Sequence, residues 1–268
     1  MRALQRLPNG FFSLSTPSLR TERLTIRFGG HAAVNGVTCA FRPGELTAIV
    51  GPNGAGKTTW FNLVSGQLTP TEGRIFLGER DITGLAPSAR ALAGVGRAFQ
   101  LTNLFPRLSV LENVRLAVQA RRRGGGRLLS RASADRDTIA EAMRYVERTR
   151  LAAVAELPAA ALPHGDQRKL EVALLLAMEP QVFMFDEPTA GMSVDEAPVI
   201  LELIAEIRED RSKTILLVEH KMDVVRALAD RIVVLHNGEL VADGRPDAVM
   251  ALPIVREIYL GVGAEEAA

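Results

Sequence analysis

Residues 46–50, 182–185, 215–218 and 232–235 are short, almost uninterrupted apolar runs. A strand covered on one face alternates, whereas a strand covered on both faces reads as a continuous run, so these segments predict a parallel sheet sandwiched by helices. The helices show the 3.6-residue period instead. Val199, Ile200, Leu203, Ile204 and Ile207 share one face between Glu196 and Arg208, and Ile139, Met143 and Val146 share another further upstream. Asn237-Gly238, between Leu235 and Leu240, is a two-residue hairpin signal, so the last strands are expected to turn antiparallel. Nearer the start, residues 23–28, 37–41 and 73–77 read as strands of a small antiparallel sheet, and residues 87–162 read as helical. The run Arg-Arg-Arg-Gly-Gly-Gly-Arg at 121–127 interrupts that stretch and reads as a solvated loop, or as a contact for anionic lipid headgroups. The absence of an internal repeat sets solenoids aside.

Composition narrows the picture only where it excludes something. The chain has 268 residues, 47% of them hydrophobic, enough for one substantial core with a smaller appended subdomain. A formal charge of +1 gives no global argument for nucleic acid as a partner, and none is expected. The single cysteine, Cys39, excludes an internal disulfide and reads as a core residue. No stretch approaches the roughly 20 apolar residues that span a bilayer. Residues 1–18 carry scattered apolar side chains broken by Pro8, Asn9 and Gly10 and are read as a tail without an assigned role; residues 263–268 form a second tail.

Chemistry enters with the nine residues Gly51, Pro52, Asn53, Gly54, Ala55, Gly56, Lys57, Thr58 and Thr59, which follow the first apolar run. Glycines let the backbone wrap close to phosphates, so that its N–H groups and the N-terminus of the next helix face several anionic oxygens. Lys57 then reaches the β- and γ-phosphates of a nucleoside triphosphate, Thr58 carries the hydroxyl that this pattern places on Mg²⁺, and Thr59 adds a contact from the first helical turn. The run 182–185 ends in Asp186 and Glu187, so a buried strand delivers two carboxylates to the sheet edge. Asp186 is placed to hold Mg²⁺ or its water, and Glu187 to polarise the water that attacks the γ-phosphate. His220 follows another buried strand and can hydrogen-bond the γ-phosphate while holding Glu187 and water. The four histidines show no metal-ligand spacing, so zinc is not expected.

The phosphate loop, Arg97-Ala-Phe-Gln100, the segment Leu162-Pro-His-Gly-Asp-Gln-Arg168, the strand ending in Asp186-Glu187, and His220 occur in the order and spacing of an ABC transporter ATP-binding subunit. The resemblance runs over residues 19–262 and implies one ABC ATP-binding domain: an α/β P-loop NTPase with a RecA-like parallel sheet core, an antiparallel β subdomain and an inserted helical subdomain at about 87–165. It further implies that Phe28 stacks on adenine, that Gln100 belongs to the loop that senses Mg²⁺ and the permease and shares in catalysis, and that 190–195 cross a dimer interface. ATP then lies between one subunit's phosphate loop and the partner's Pro163, His164, Gly165 and Asp166. Residues 96–113, 186–192 and 253–261 resemble the larger ATPase of branched-chain amino acid importers. That implies two transmembrane permeases, a second ATPase in a hetero- or homodimer, an indirect substrate-binding protein, and a peripheral place on the cytoplasmic face of the inner membrane. An exporter subunit or a soluble regulatory ATPase shares the local chemistry. Phe105, Leu108, Val110 and Leu111 are candidates for permease contact or for core.

Two positions depart from the family's pattern. Pro163 stands where a serine hydroxyl ordinarily reaches the γ-phosphate across the dimer, and proline supplies neither hydroxyl nor N–H. Its ring suits the first turn of a helix, which leaves the N–H groups of His164, Gly165 and Asp166 for phosphate. Ser193 stands where many members have an aspartate in the interface loop.

Overall fold

A computed structural model describes residues 18–98, 104–123 and 132–260. Two sheets organise it. β1 (Leu19–Phe28), β2 (His31–Phe41), β4 (Glu72–Leu77) and β5 (Arg80–Asp81) form an antiparallel sheet in the order β2-β1-β4-β5. The larger sheet, in the order β10-β9-β3-β8-β7-β6, comprises β3 (Leu46–Val50), β6 (Val95–Ala98), β7 (Val182–Asp186), β8 (Thr214–Val218), β9 (Arg231–His236) and β10 (Glu239–Gly244). Its strands are parallel except β10, which folds back on β9 through Asn237 (φ 48°) and Gly238 (φ 77°). Left-handed conformation at both turn residues matches the twist of the flanking strands.

The continuous apolar runs have a direct cause. Leu46, Ala48 and Val50 of β3, Phe183 and Phe185 of β7, and Ile215 and Leu217 of β8 face one hydrophobic layer. Ile49, Val182, Met184, Leu216 and Val218 face the other. Successive side chains point to opposite faces, so both parities must be apolar when both faces are dry. The first layer is completed by α5 (His164–Ala177) and α6 (Ala197–Glu209), and the second by α1 (Lys57–Ser65) and the antiparallel sheet. The α6 stripe of Val199, Ile200, Leu203, Ile204 and Ile207 is buried as its period requires.

Between α1 and α5 the chain is not uniformly helical. After α2 (Pro87–Ala93), residues 95–98 form β6, the edge strand beside β7. Gly96 permits that approach, since a Cβ there would lie 2.5 Å from Leu175 Cδ1 and 2.6 Å from Pro180 Cγ. α3 (Val110–Arg123) and α4 (Ala132–Arg148) then pack on one another and on α5. The basic run begins as the last turn of α3 and not as a loop: Arg121 and Arg122 both pair with Glu141 of α4, while residues 124–131 lie outside the described residues. On α4, Ala142, Tyr145 and Val146 are buried, Met143 packs beside them, and Ile139 is exposed, so the apolar face is rotated from the one expected. Asn113, 1% exposed, fixes the turn before α3: its amide donates to the carbonyls of Phe105, Leu108 and Ser109, and its Oδ1 accepts from Phe105 N–H. That turn leaves Phe105 exposed and buries Val110 completely. The remaining α-helices among the described residues are α7 (Met222–Leu228), α8 (Pro246–Met250) and α9 (Pro253–Leu260).

Candidate functional site

β3 runs straight into the phosphate loop, and the loop's tight wrap is enforced by backbone contacts. Gly51 has φ 151°, and a Cβ on it would stand 2.1 Å from Leu235 O; Gly56 has φ 98°, with Ala33 O at 2.5 Å from the corresponding position. Only glycine fits either place. α1 begins immediately afterwards, and the Trp60 N–H to Gly56 O bond closes its first turn. The N–H groups of Lys57, Thr58 and Thr59 therefore lack partners within the helix and face outward at its positive end.

Lys57 is held across the loop, its ammonium donating to Gly51 O at 2.7 Å and to Pro52 O at 2.9 Å. Two of its three protons are thus committed to carbonyls, and the third remains for an anion. Burial lowers its pKa, while Glu187 and Asp186 act in the opposite sense, which places both carboxylates in its electrostatic neighbourhood. Thr58 is exposed in the first helical turn and Thr59 half-buried.

Asp186 closes β7 with a side chain that has no exposure. Its Oδ2 accepts from Arg97 Nη2 at 2.7 Å, whereas its Oδ1 is buried without a partner. Burial raises its pKa, and Arg97 opposes that rise. An unpartnered buried carboxylate oxygen is costly unless something occupies it. A hard cation bound through oxygen suits it, because Mg²⁺ takes one or two protein oxygens and fills its remaining positions with water and phosphate.

Glu187 departs from the strand at φ 49°, a left-handed conformation that costs a glutamate on the order of 1–3 kcal/mol. The turn is held by Glu187 N–H donating to Val218 O at 2.9 Å. Its Oε1 lies 2.7 Å from His220 Nε2, so the carboxylate and the imidazole meet as expected. Glu219, absent from the sequence reading, holds the His220 backbone and the Thr189 side chain. It is 4% exposed; its Oε2 accepts from His220 N–H at 2.7 Å, and its Oε1 accepts from Thr189 Oγ at 3.0 Å. The only sequence signal for it is an acid placed directly after an apolar strand.

Phe28, 53% exposed, ends β1 and pairs with His31 of β2, the strand whose Ala33 carbonyl packs on Gly56. Gln100 lies outside the described residues. Pro163 is the N-cap of α5 (φ −56°, ψ 158°), one position before the first turn that was expected for it, because its ψ is extended and His164 begins the helix. Its carbonyl accepts Gln167 N–H at 3.0 Å, leaving the N–H groups of His164, Gly165 and Asp166 outside the helical ladder. This second cluster is built against the 191–196 segment: a Cβ on Gly165 would lie 2.2 Å from Glu196 Oε1, and one on Gly191 would lie 3.1 Å from His164 Cε1. Glu196 also accepts from Ser193 N and Oγ at 3.2 and 3.0 Å. Asp166 is paired with Lys169 at 2.8 Å.

Known proteins resemble this chain along most of its length. The ABC transporter family pattern matches residues 34–190. The chain is 40% identical over 253 residues to the high-affinity branched-chain amino acid transport ATP-binding protein LivG of Salmonella typhimurium, covering 92% of this chain and 99% of the relative. It is 39% identical over 254 residues to BraF, the high-affinity branched-chain amino acid transport ATP-binding protein of Pseudomonas aeruginosa, with the same coverage. Among solved structures, the ADP conformation of MJ1267, an ATP-binding cassette of an ABC transporter, superposes with a TM-score of 0.77 at 28% identity over 92% of this chain and all of the other. A dimeric post-hydrolysis cassette, MJ0796 with ADP and Pi, gives a TM-score of 0.74 at 25% identity over 85% of this chain and 98% of the other. A buried lysine in a glycine-lined phosphate loop, two acids at the end of β7, one strand removed from β3 in the sheet, and these likenesses along nearly the whole chain have one common explanation: the chain belongs to the ABC transporter family.

Proposed function

We propose that this chain is the ATP-binding and hydrolysing subunit of an importer for branched-chain amino acids or a related small polar solute. The observation that carries the enzymatic part is the 2.7 Å contact between Glu187 and His220 at the sheet edge that also holds the phosphate loop and Asp186. The importer part rests on the relatives LivG and BraF. In this reading the loop N–H groups of 51–56 and Lys57 bind the β- and γ-phosphates, Thr59 adds to that shell, and Phe28 stacks on the base. Thr58 and Asp186 hold Mg²⁺, with Gln100 completing the site, and the ion when bound neutralises charge on the phosphate oxygens. Glu187 orients and polarises the attacking water, and His220 keeps Glu187 in place and contacts the γ-phosphate.

The reading extends to partners. A second ATPase closes on the first, so that residues 163–166 of one subunit meet the γ-phosphate held by the other, and two transmembrane permeases, fed by a substrate-binding protein, dock on the helical region. Phe105, exposed by the Asn113-held turn, is the apolar contact offered there, whereas Val110 belongs to the core. No described helix is long and apolar enough to cross a membrane. Attachment to the cytoplasmic face of the inner membrane is therefore assigned to the permeases.

Three experiments test this. Glu187→Gln keeps the shape and removes the negative charge; in the complete complex it is expected to hold ATP in a closed dimer, measurable as unhydrolysed ATP retained through gel filtration, and unaltered turnover would remove Glu187 from its role. Pro163→Ser is expected to raise steady-state hydrolysis of the complex by about tenfold, since a hydrogen bond to a charged group is worth about 1.5–3 kcal/mol. A serine N-cap also stabilises α5 by about 1 kcal/mol, so melting reports that effect separately. A rise in melting temperature without a change in hydrolysis would refute the proposed cross-dimer contact at residue 163. Finally, the tagged chain, extracted from native membranes in mild detergent, is expected to bring down two multi-spanning proteins and a second ATPase by mass spectrometry. Recovery only with soluble ribosomal or DNA-bound proteins would replace the importer with a soluble clamp.

A further inference from the structure

Arg97 sits in the middle of β6, paired in register with Met184 of β7, and its side chain is 5% exposed. A buried guanidinium needs a reason, because desolvation costs several kcal/mol unless its donors are satisfied. Here the donors point two ways. Nη2 donates to Asp186 Oδ2 at 2.7 Å, Nη1 donates to Asn62 Oδ1 at 2.6 Å, to Ser65 Oγ at 3.0 Å and to Gln67 Oε1 at 3.4 Å, and Nε is buried without a partner. The guanidinium carbon lies 5.6 Å from the centre of the Phe61 ring, which packs along the same helix. Asn62 and Ser65 belong to α1, the helix whose first turn carries Thr58. Arg97 therefore joins the two elements that supply the oxygens for Mg²⁺, and it occupies one carboxylate oxygen of Asp186 while the other stays buried and unpartnered.

We propose that Arg97 is a positioning residue for the cation site: it locks Asp186 against α1 so that Oδ1 and the Thr58 hydroxyl are held at a fixed separation for Mg²⁺. The inference rests on the reading of Asp186 and Thr58 as the cation's protein ligands. A planar guanidinium is suited to this bridge, because its fork reaches two partners from one rigid plane, whereas an ammonium is a single point on a flexible stem. Arg97→Lys keeps the charge and removes the fork. The electrostatic attraction for Mg²⁺ is then nearly constant, and a change in Mg²⁺ requirement reports geometry. Partners that orient metal-ligating groups typically contribute 10- to 100-fold to metal affinity.

The test is a titration of the purified full chain with a fluorescent ATP analogue, in EDTA and over a series of Mg²⁺ concentrations, for wild type, Arg97→Lys and Asn62→Ala. In Arg97→Lys the Mg²⁺ concentration for half-maximal enhancement of binding is expected to rise about tenfold, with affinity in EDTA unchanged. Asn62→Ala, which removes the 2.6 Å anchor on a half-buried helix position, is expected to shift the requirement in the same direction by less. It also decides the matter if Arg97→Lys does not fold. An unchanged Mg²⁺ requirement, or an equal loss of affinity in EDTA and in Mg²⁺, would reduce Arg97 to a structural tie and overturn the proposal. Wild-type binding indifferent to Mg²⁺ would instead overturn the assignment of Asp186 and Thr58, and this inference with it.

Discussion

The site depends on the register of three parallel strands. β8 pairs Val218 with Ile49 of β3 on one side and with Asp186 of β7 on the other. Because these pairings align the carboxyl ends, Gly51, Asp186-Glu187 and Glu219-His220 all leave the sheet along one edge. Ligands of open α/β sheets bind outside those carboxyl ends. A slip of one residue in β7 would exchange its two faces, turning Phe183 and Phe185 toward the layer now filled by Val182 and Met184. It would also move Asp186 off the edge. The apolar cores on both faces thus fix the position of the charged groups, although those groups contribute little to either core.

Once the edge is set, burial controls the charges. Lys57 and Arg97 approach Asp186 from different elements, Lys57 from the phosphate loop and Arg97 from the edge strand. Neither cation satisfies Asp186 completely, since Oδ1 remains without a partner. Lys57 is likewise occupied by Gly51 and Pro52 carbonyls through only part of its donor set. Lys57 and Asp186 are each held by hydrogen bonds to other protein groups, and groups held in this way lose less freedom on binding. Glu219 extends the same principle by holding the His220 backbone and Thr189 together behind the Glu187–His220 contact.

Much of this was legible because its signals are local. The phosphate loop has fixed spacing, the interior strands of the large sheet are apolar at both parities, and Asn237-Gly238 demands a particular turn. What escaped reading is set by distant partners. β6 is Val-Gly-Arg-Ala, a pattern that becomes a strand only by pairing with β7, and Arg97 finds Asp186 across 89 positions. Arg90, 1% exposed, is another such case: it lies in α2 and donates to the carbonyls of Leu63 and Val64, closing the end of α1. No periodicity announces a helix capped by an arginine from elsewhere. The face of α4 departs from its apolar period for the same reason, because Tyr145 is drawn inward by Arg121 and Glu179 while Ile139 is left outside. Pro163 was displaced by a single residue, from the first turn to the cap.

In the proposed reading this chain alone carries a phosphate and cation cradle, with Lys57 as its fixed charge. Calorimetric titration of the isolated chain with ATP and Mg²⁺, beside the Lys57→Ala variant, tests it most directly. One nucleotide bound per chain is expected in the wild type and a loss of at least about tenfold in affinity in the variant, in line with removal of a charge-assisted hydrogen bond. Binding of equal strength in both proteins, or none in the wild type, would contradict it.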